Sequence, residues 1–196
     1  MIIGIDLDST LIETNAVAIA AKELNFPISN KDTLHWNHLN FPPELRARIY
    51  EYFVDPVSMC DNARPIKGTQ ETIRKWFDRG HEIVLITARG NILREPTIEM
   101  VHRLYPEIGT VEFVEMNTSK IAIMKERGVE VWIDDAPHGI LDALREGIPA
   151  YMVSNNYTKY NWYVRDDTRL KGVVKTISEI NFVDKMQSLR QEIDQL

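Results

Sequence analysis

The stretch Ile2-Ile3-Gly4-Ile5-Asp6-Leu7-Asp8-Ser9-Thr10 decides the fold, because a short apolar run ends there abruptly in two carboxylates. A continuous apolar run is typical of a strand that is covered on both faces of a parallel sheet. Asp6 and Asp8 follow at the carboxyl end of that strand, and extended geometry turns alternate side chains the same way. Because ligands of open α/β sheets bind beyond the carboxyl ends of the strands, we expect a binding site here.

Strand and helix patterns alternate along most of the remaining chain, from about residue 67 to residue 154. Short runs rich in β-branched residues predict strands at 82–87, 111–114, 129–134 and 150–153. Helical patterns lie between them and begin near Thr69, which is a candidate N-cap, and near Pro96, Ser119 and Pro137. An amphipathic pattern from about Ser178 predicts a last helix that packs on the sheet. The alternation predicts an α/β fold with a mainly parallel sheet and right-handed crossovers.

The segment from Thr14 to about Pro65 breaks this alternation. Its apolar spacing predicts two helices, at 15–25 and 43–53, joined by a loop that contains His35-Trp36-Asn37-His38. Roughly fifty residues between one strand and the next are too many for a single βα connection. We interpret the segment as an inserted helical cap, so that residues 1–13 and 66–196 form the core and residues 14–65 form the cap.

The charge balance limits the partners of the chain. Its 23 Lys and Arg residues face 29 Asp and Glu residues, which gives a net charge of −6. Polynucleotide binding draws on dense positive surfaces, so the balance disfavours a polynucleotide and leaves a small anion with its own metal counterion as a candidate. The 44% hydrophobic and 27% charged residues are typical of a globular protein and argue against a membrane span.

Two further expectations follow from single positions. Cys60 is the only cysteine, so an intramolecular disulfide is excluded and a small buried hydrophobe is its simplest role. The chemistry-bearing residues begin at Asp6, which leaves no room for a cleaved signal peptide, and we therefore expect a cytoplasmic protein.

Other polar residues follow the later strands and helices at positions that suit the same edge of the sheet. The second strand ends at Thr87, with the backbone N–H of Ala88 behind it, Lys120 starts a helix, and the fourth strand ends in Asp134 and Asp135. Each also has an ordinary interpretation. Thr87 can cap the strand end, Lys120 can be a solvated lysine, and Asp134-Asp135 can be acidic residues at a helix N-terminus. Converging carboxylates repel one another unless a cation is shared, and Mg²⁺ favours such oxygen ligands.

The ordered set resembles a known family. Asp6-Leu7-Asp8-Ser9-Thr10, Thr87, Lys120 and Asp134-Asp135 are similar, in order and setting, to the four motifs of the haloacid dehalogenase-like phosphohydrolases. Within that family, 86–89, 133–137 and 147–149 resemble the 5'(3')-deoxyribonucleotidase branch, and the resemblance covers residues 1–13 and 66–165. It implies a Rossmann-like parallel sheet, a cap inserted after the first motif, and Mg²⁺-dependent hydrolysis of phosphate monoesters through an aspartyl-phosphate.

The resemblance also implies roles for the acidic residues. Asp6 is the expected nucleophile and a metal ligand, while Asp8 is the expected general acid and base, with its backbone carbonyl on the metal. Asp135 is the favoured carboxylate for the remaining metal position, and Asp134 is expected to act through a water or to hold the loop. The residues alone leave open which of these two binds the ion directly.

The remaining roles concern the phosphoryl group. The resemblance implies that Thr87 and the N–H of Ala88 hold its oxygens and that Lys120 neutralises charge. Thr10 is expected to brace the loop. Arg89 has two open interpretations, a contact to phosphate or ribose and a surface salt bridge.

The substrate is expected to be a nucleoside monophosphate, and in particular a deoxyribonucleoside monophosphate. Trp36, His38 and Phe41 can stack on a base if their loop faces the site, and ordinary cap core is the alternative for the aromatic rings. A phosphatase of sugar phosphates is the competing enzyme. A non-hydrolytic phosphoacceptor or binding module fits less well, because in a receiver domain the lysine comes after the acidic residues. A second copy of the chain remains an allowed partner.

Overall fold

A six-stranded parallel sheet forms the centre of the structure, a computed structural model that describes residues 1–14, 16–27, 41–115, 118–154 and 164–182. The strands are β1 (Ile2–Ile5), β2 (Glu82–Thr87), β3 (Thr110–Phe113), β4 (Val131–Asp134), β5 (Ala150–Val153) and β6 (Gly172–Val174). Their order is β3-β2-β1-β4-β5-β6, and all neighbouring strands run parallel. The predicted α/β class is confirmed, and β6 is an edge strand that the sequence patterns did not predict.

The strand order places β1 at the point where the chain changes direction across the sheet. β1 pairs with β2 on one side and with β4 on the other. In a doubly wound sheet this switch point opens the crevice in which ligands bind. The residues that follow β1, β2 and β4 are therefore neighbours at one edge.

Six helices and three shorter turns complete the described chain. The helices are α1 (Ala16–Glu23), α2 (Pro43–Val54), α3 (Thr69–Asp78), α4 (Arg94–Leu104), α5 (Ile121–Glu126) and α6 (Pro137–Arg145). A π-helical turn covers Val57–Asp61, and 3₁₀ turns cover Asn91–Leu93 and Ile177–Glu179. Within the described ranges, no helix combines the length and the apolar character that crossing a bilayer requires.

The N-cap that the sequence suggests for α3 is wrong. Gly68 rather than Thr69 caps α3, because its φ of 86° is accessible to glycine, and the Thr69 hydroxyl instead donates to the Ile66 carbonyl. Phe77 of the same helix is 52% exposed, whereas Trp76 is buried against the sheet.

The predicted helix from Ser178 is also wrong over residues 178–182. A 3₁₀ turn ends at Glu179, and Ile180 is extended. This conformation lets both Ile180 and Phe182 pack in the main core, where the Phe182 ring lies 4.9 Å from that of Trp76. The rest of the predicted helix lies outside the described residues.

Both faces of the sheet are covered, as the apolar runs predict. One cluster contains Ile3 and Ile5 of β1, and the opposite cluster contains Trp132 of β4. Gly4 lets the Trp132 ring approach β1, because a Cβ at Gly4 would lie 2.8 Å from that ring and 2.7 Å from a Val129 methyl carbon. The central strand is therefore fixed by tight packing on both sides.

The segment after β1 leaves and rejoins the sheet at one place. Ile12 and Pro65 form an antiparallel bridge, and the Ile66 N–H donates to the Leu11 carbonyl at 2.9 Å. Between these stems, α1 and α2 pack around a third apolar cluster. Cys60 belongs to the main core. The division into a core and a cap of residues 14–65 remains our proposal.

Candidate active site

Four of the predicted site residues meet at the carboxyl end of the central strands. Asp6 follows β1, and its N–H donates to the Ile133 carbonyl of β4 at 2.9 Å. Asp134 ends β4, Asp135 follows it, and Lys120 lies at the N-terminus of α5. The four side chains are buried, although they come from three separate parts of the sequence.

Lys120 connects two of these carboxylates. Its Nζ donates to Asp6 Oδ1 at 2.5 Å and to Asp134 Oδ2 at 3.2 Å, and it lies 5.0 Å from the centre of the Trp132 ring. Burial alone lowers the pKa of Lys120, but the charges of Asp134 and Asp6 raise it above its ordinary value overall. A solvated lysine is therefore the wrong interpretation, and Lys120 is a fixed positive charge inside the site.

The surroundings of Asp6 disfavour the ionised form of its carboxyl group. Burial, together with the charges of Asp134 and Asp8, raises its pKa to about 7, and Lys120 offsets only part of this effect. A second cation near Asp6 would relieve the remaining repulsion and keep the carboxylate ionised.

The residues present suit a divalent cation. Asp6, Asp134 and Asp135 each offer a carboxylate oxygen, and these oxygens lie within 4.8 Å of one another. Buried carboxylate oxygens are the ligands that Mg²⁺ prefers. The residues therefore fit the metal that the sequence predicts.

Asp134 is already held by the protein at both oxygens. Its Oδ2 accepts from Lys120 and from the Trp132 indole N–H at 3.1 Å, and its Oδ1 accepts from the Ala136 N–H at 2.8 Å. Gly139 leaves space for this carboxylate, because a Cβ there would lie 2.3 Å from Oδ2. These contacts support a structural role for Asp134 in the loop after β4.

Asp8 has a different environment from Asp6. The Arg89 guanidinium donates to both of its oxygens at 2.9 Å, and the Thr14 hydroxyl donates to Oδ1 at 3.0 Å. Burial by itself raises the pKa of Asp8, but Arg89 and Thr14 lower it below its ordinary value overall. The Asp8 side chain is 27% exposed, compared with 10% for Asp6. It is therefore the more accessible of these two carboxylates.

The pairing of Arg89 shows that a surface salt bridge is the wrong interpretation for this residue. Its side chain is only 3% exposed. On the side away from Asp8, its Nη1 lies 3.2 Å from Thr97 Oγ1 and 3.3 Å from Cys60 Sγ. The sequence shows Arg89 beside Thr87 but carries no signal that links it to Asp8.

The remaining predicted residues lie around this centre. Thr87 is buried at the end of β2, and its Oγ1 accepts from the Arg89 N–H at 3.4 Å. Ala88 follows it and is half-buried. The Thr10 hydroxyl donates to Asp135 Oδ1 at 3.4 Å, which agrees with a bracing role.

The aromatic residues of the proposed cap are only partly described. Phe41 is buried in the apolar cluster of α1 and α2, so cap core is its correct interpretation. Trp36 and His38 lie outside the described residues.

The sequence patterns did not predict a role at the site for two residues, Trp132 and Gly139. Trp132 supports both Lys120 and Asp134, and Gly139 leaves room for Asp134. The spacing of Trp132 and Asp134 on one strand places both on the same face, which is a signal that was available. Nothing in the sequence alone indicates that Gly139 faces a carboxylate.

Comparison with known proteins identifies the family. The model of the family described as "5' nucleotidase, deoxy (Pyrimidine), cytosolic type C protein" matches residues 1–172. No curated protein matches the chain.

Several solved structures share the fold. A haloacid dehalogenase-like hydrolase from Bacteroides fragilis has a TM-score of 0.63 at 11% identity, with 91% of this chain and 98% of that chain covered. A HAD family hydrolase from Deinococcus radiodurans R1, with bound phosphate and sodium, has a TM-score of 0.61 at 13% identity, covering 90% and 91%. CbbY from Rhodobacter sphaeroides, in complex with phosphate, has a TM-score of 0.57 at 15% identity, covering 91% and 95%.

The family match spans β1 to β5 and includes Asp6, Asp8, Asp134 and Asp135 at the carboxyl edge of the sheet. The chain therefore belongs to the deoxy (pyrimidine), cytosolic type C 5'-nucleotidase family of haloacid dehalogenase-like hydrolases, and it is a nucleotidase-like phosphoric monoester hydrolase.

Proposed function

We propose that the chain is a Mg²⁺-dependent phosphatase that hydrolyses nucleoside monophosphates, in particular those of deoxyribose, through a phosphorylated Asp6. The environment of Asp6 carries the proposal, because this carboxylate lies at the switch point of the sheet, 2.5 Å from Lys120 Nζ and beside two further carboxylates. The nucleotide substrate is supported by the family match.

The metal is held, in this proposal, by the side chains of Asp6 and Asp135 and by the backbone carbonyl of Asp8. Bound Mg²⁺ supplies positive charge that offsets the repulsion between the carboxylates and the phosphate. Asp134 keeps the adjacent loop in place through Lys120, Trp132 and Ala136.

The phosphate is bound between Asp6 and the end of β2. The hydroxyl of Thr87 and the N–H of Ala88 donate to its peripheral oxygens, and Lys120 adds a positive charge beside Asp6. Fixed donors of this kind hold the phosphorus in line with Asp6 and stabilise the charge on its oxygens in the transition state.

The first chemical step transfers the phosphoryl group to the protein. An oxygen of Asp6 forms a bond to phosphorus while the bond from phosphorus to the ester oxygen breaks. Asp8 takes up a proton before this step, although Arg89 favours its ionised form. It gives that proton to the departing alcohol, which otherwise leaves as a poor alkoxide.

The second step restores Asp6. Asp8, now a carboxylate, takes a proton from a water that attacks phosphorus, and the bond between phosphorus and Asp6 breaks. One carboxyl therefore acts as acid and then as base, as covalent hydrolysis in two steps requires.

Release of inorganic phosphate from a panel of substrates tests the proposal. The panel contains ribonucleoside and deoxyribonucleoside monophosphates, hexose phosphates and other small phosphate esters, each with Mg²⁺. We expect the deoxyribonucleotides to give the highest kcat/KM, and Asp6→Asn serves as the control for contaminating phosphatases. Equal turnover of hexose phosphates would favour a sugar-phosphate phosphatase, whereas no turnover of any ester would favour a binding module.

A further inference from the structure

The chain makes a tight loop, residues 7–12, between β1 and the inserted segment. The N–H groups of Leu11 and Ile12 both donate to the Leu7 carbonyl, at 2.9 and 3.2 Å, and the Ser9 N–H donates to the Ile12 carbonyl at 2.9 Å. Ser9 has a φ of 62°, in the left-handed region that side chains other than glycine rarely adopt. Such a conformation persists only where the surrounding structure holds it.

Two groups of the proposed site extend from loop 7–12. Asp8 is its second residue, and the Thr10 hydroxyl donates to Asp135 Oδ1 at 3.4 Å. A shift of the loop would move both groups relative to Asp6. Reaction geometry is sensitive to such shifts, since a misplacement of about 1 Å can lower a rate by about 10²-fold. Whatever holds the loop therefore bears on the reaction.

Two buried hydroxyls hold the far end of this loop. The Tyr105 hydroxyl, from the end of α4, donates to the Leu11 carbonyl at 2.6 Å. The Thr69 hydroxyl, at the start of α3, lies 3.3 Å from the same carbonyl oxygen and donates to the Ile66 carbonyl at 2.7 Å. The two hydroxyl oxygens are 2.8 Å apart, and neither residue has exposed surface. We call this pair the hydroxyl clamp.

The backbone at this place is already satisfied without the hydroxyl clamp. The Leu11 carbonyl also accepts the Ile66 N–H, at 2.9 Å, which is enough for a buried carbonyl. Buried hydroxyls are costly to desolvate, and apolar side chains of the same shape would fill this space without that cost. A fully bonded polar pair, by contrast, fixes one arrangement of the chain. The clamp is therefore suited to holding the loop in one position.

We propose that Tyr105 and Thr69 are positioning residues of the reaction, which hold loop 7–12 in place through the Leu11 carbonyl. This inference rests on the proposed function, which assigns Asp8 of the loop to the reaction. Neither hydroxyl touches the substrate or transfers a proton. Their contribution is geometric, because they tie the loop to the ends of two helices that are packed on the sheet.

The test uses variants that remove one hydroxyl and keep nearly the same volume, Tyr105→Phe and Thr69→Val. Thr72→Val is the matched control in the same helix. The Thr72 hydroxyl donates to the Gly68 carbonyl at 2.7 Å and is not a partner of Leu11 in the described chain. Circular dichroism and the urea unfolding midpoint establish that each variant is folded under the assay conditions.

For Tyr105→Phe we expect kcat on a deoxyribonucleoside monophosphate to fall by about 10-fold while KM stays within about twofold of wild type. KM is spared because Thr87 and Lys120, which bind the phosphate in the proposal, do not belong to the loop. Thr69→Val loses about threefold in kcat, and the double variant loses less than the product of the single losses. Thr72→Val behaves as wild type. A lower unfolding midpoint with unchanged kcat in Tyr105→Phe would overturn the inference.

Hydrogen exchange followed by mass spectrometry examines the loop without turnover. We expect peptides that cover residues 7–12 to exchange at least about threefold faster in Tyr105→Phe than in wild type or Thr72→Val, while peptides of β4 exchange alike in all. Equal exchange of the loop in all variants would overturn the inference. If wild-type protein hydrolyses no ester, the proposed function fails and the catalytic role of the clamp fails with it, while the exchange rates still decide whether the clamp holds the loop.

Discussion

Asp6 and Asp8 leave the same strand two residues apart, yet the structure gives them opposite environments. Asp6 contacts Lys120 and lies among other carboxylates, and its pKa is raised to about 7. Asp8 is held by the two-pronged guanidinium of Arg89, and its pKa is lowered. The surroundings of Asp6 therefore disfavour its ionised form, whereas those of Asp8 favour its ionised form.

The two carboxylates follow the same strand, so the cationic residue that contacts each one sets the difference in their pKa values. Lys120 reaches Asp6 from α5 beyond β3, whereas Arg89 reaches Asp8 from the loop after β2. A shortage of positive charge favours a metal at Asp6, whereas the Arg89 pair favours the ionised form of Asp8, which is the form that a general base needs. Each of the following predictions tests one side of this contrast.

Removing the Asp6 carboxylate is expected to have the largest effect. Asp6→Asn abolishes turnover and any phosphorylated protein, because an amide is a far weaker nucleophile and loses the charge that binds the metal. Acid quenching with a labelled substrate, followed by mass mapping, measures the covalent adduct in wild type. A label on any other residue would contradict the assignment of Asp6.

Removing the metal is expected to abolish activity as well, because Asp6 is a proposed metal ligand. Excess EDTA abolishes phosphate release and added Mg²⁺ restores it, because two groups of carboxylates otherwise repel the substrate. Calcium inhibits, since its larger and more flexible coordination allows it to capture both oxygens of Asp6. Full activity in EDTA would exclude a metal-dependent reaction.

Changing Asp8 is expected to have an intermediate effect. Asp8→Asn keeps the backbone carbonyl and loses proton transfer, which lowers turnover of a nucleotide by about 10²–10⁴-fold. With an activated ester, the variant recovers formation of the phosphorylated protein but still loses phosphate slowly. Rapid-quench measurements separate the two steps, and full turnover of a nucleotide by this variant would show that Asp8 transfers no proton.

The smallest expected effect is on stability, and it concerns Gly139, which packs against Asp134 beside Lys120. Gly139→Ala introduces a Cβ 2.3 Å from Asp134 Oδ2 and is expected to lower the free energy of unfolding by about 1–3 kcal/mol. Gly109→Ala is the matched control, because no described residue other than its chain neighbours has an atom within 4 Å of the Cβ position there. Urea unfolding measures both variants. Equal stability of the two would show that the Asp134 loop moves aside easily.

Much of the fold was predictable from local patterns. Five of the six strands end at or within two residues of the predicted positions, because buried parallel strands are short apolar runs with polar ends. β6 was missed since three residues, Gly172–Val174, form too short a run to differ from loop. The helix predicted from Ser178 failed at its start because Ile180 and Phe182 reach the core in extended rather than helical geometry.

The sequence by itself determined the class of fold and the chemistry-bearing residue types at the ends of β1, β2 and β4. These features are local, because an apolar run followed by carboxylates carries its meaning in adjacent residues. Only the tertiary structure decided the partners, joining Lys120 to Asp6 across 114 positions and Arg89 to Asp8 across 81. The strand order brings such distant residues together, and the charge and hydrogen bonds of each partner then set the protonation and orientation of the carboxylate.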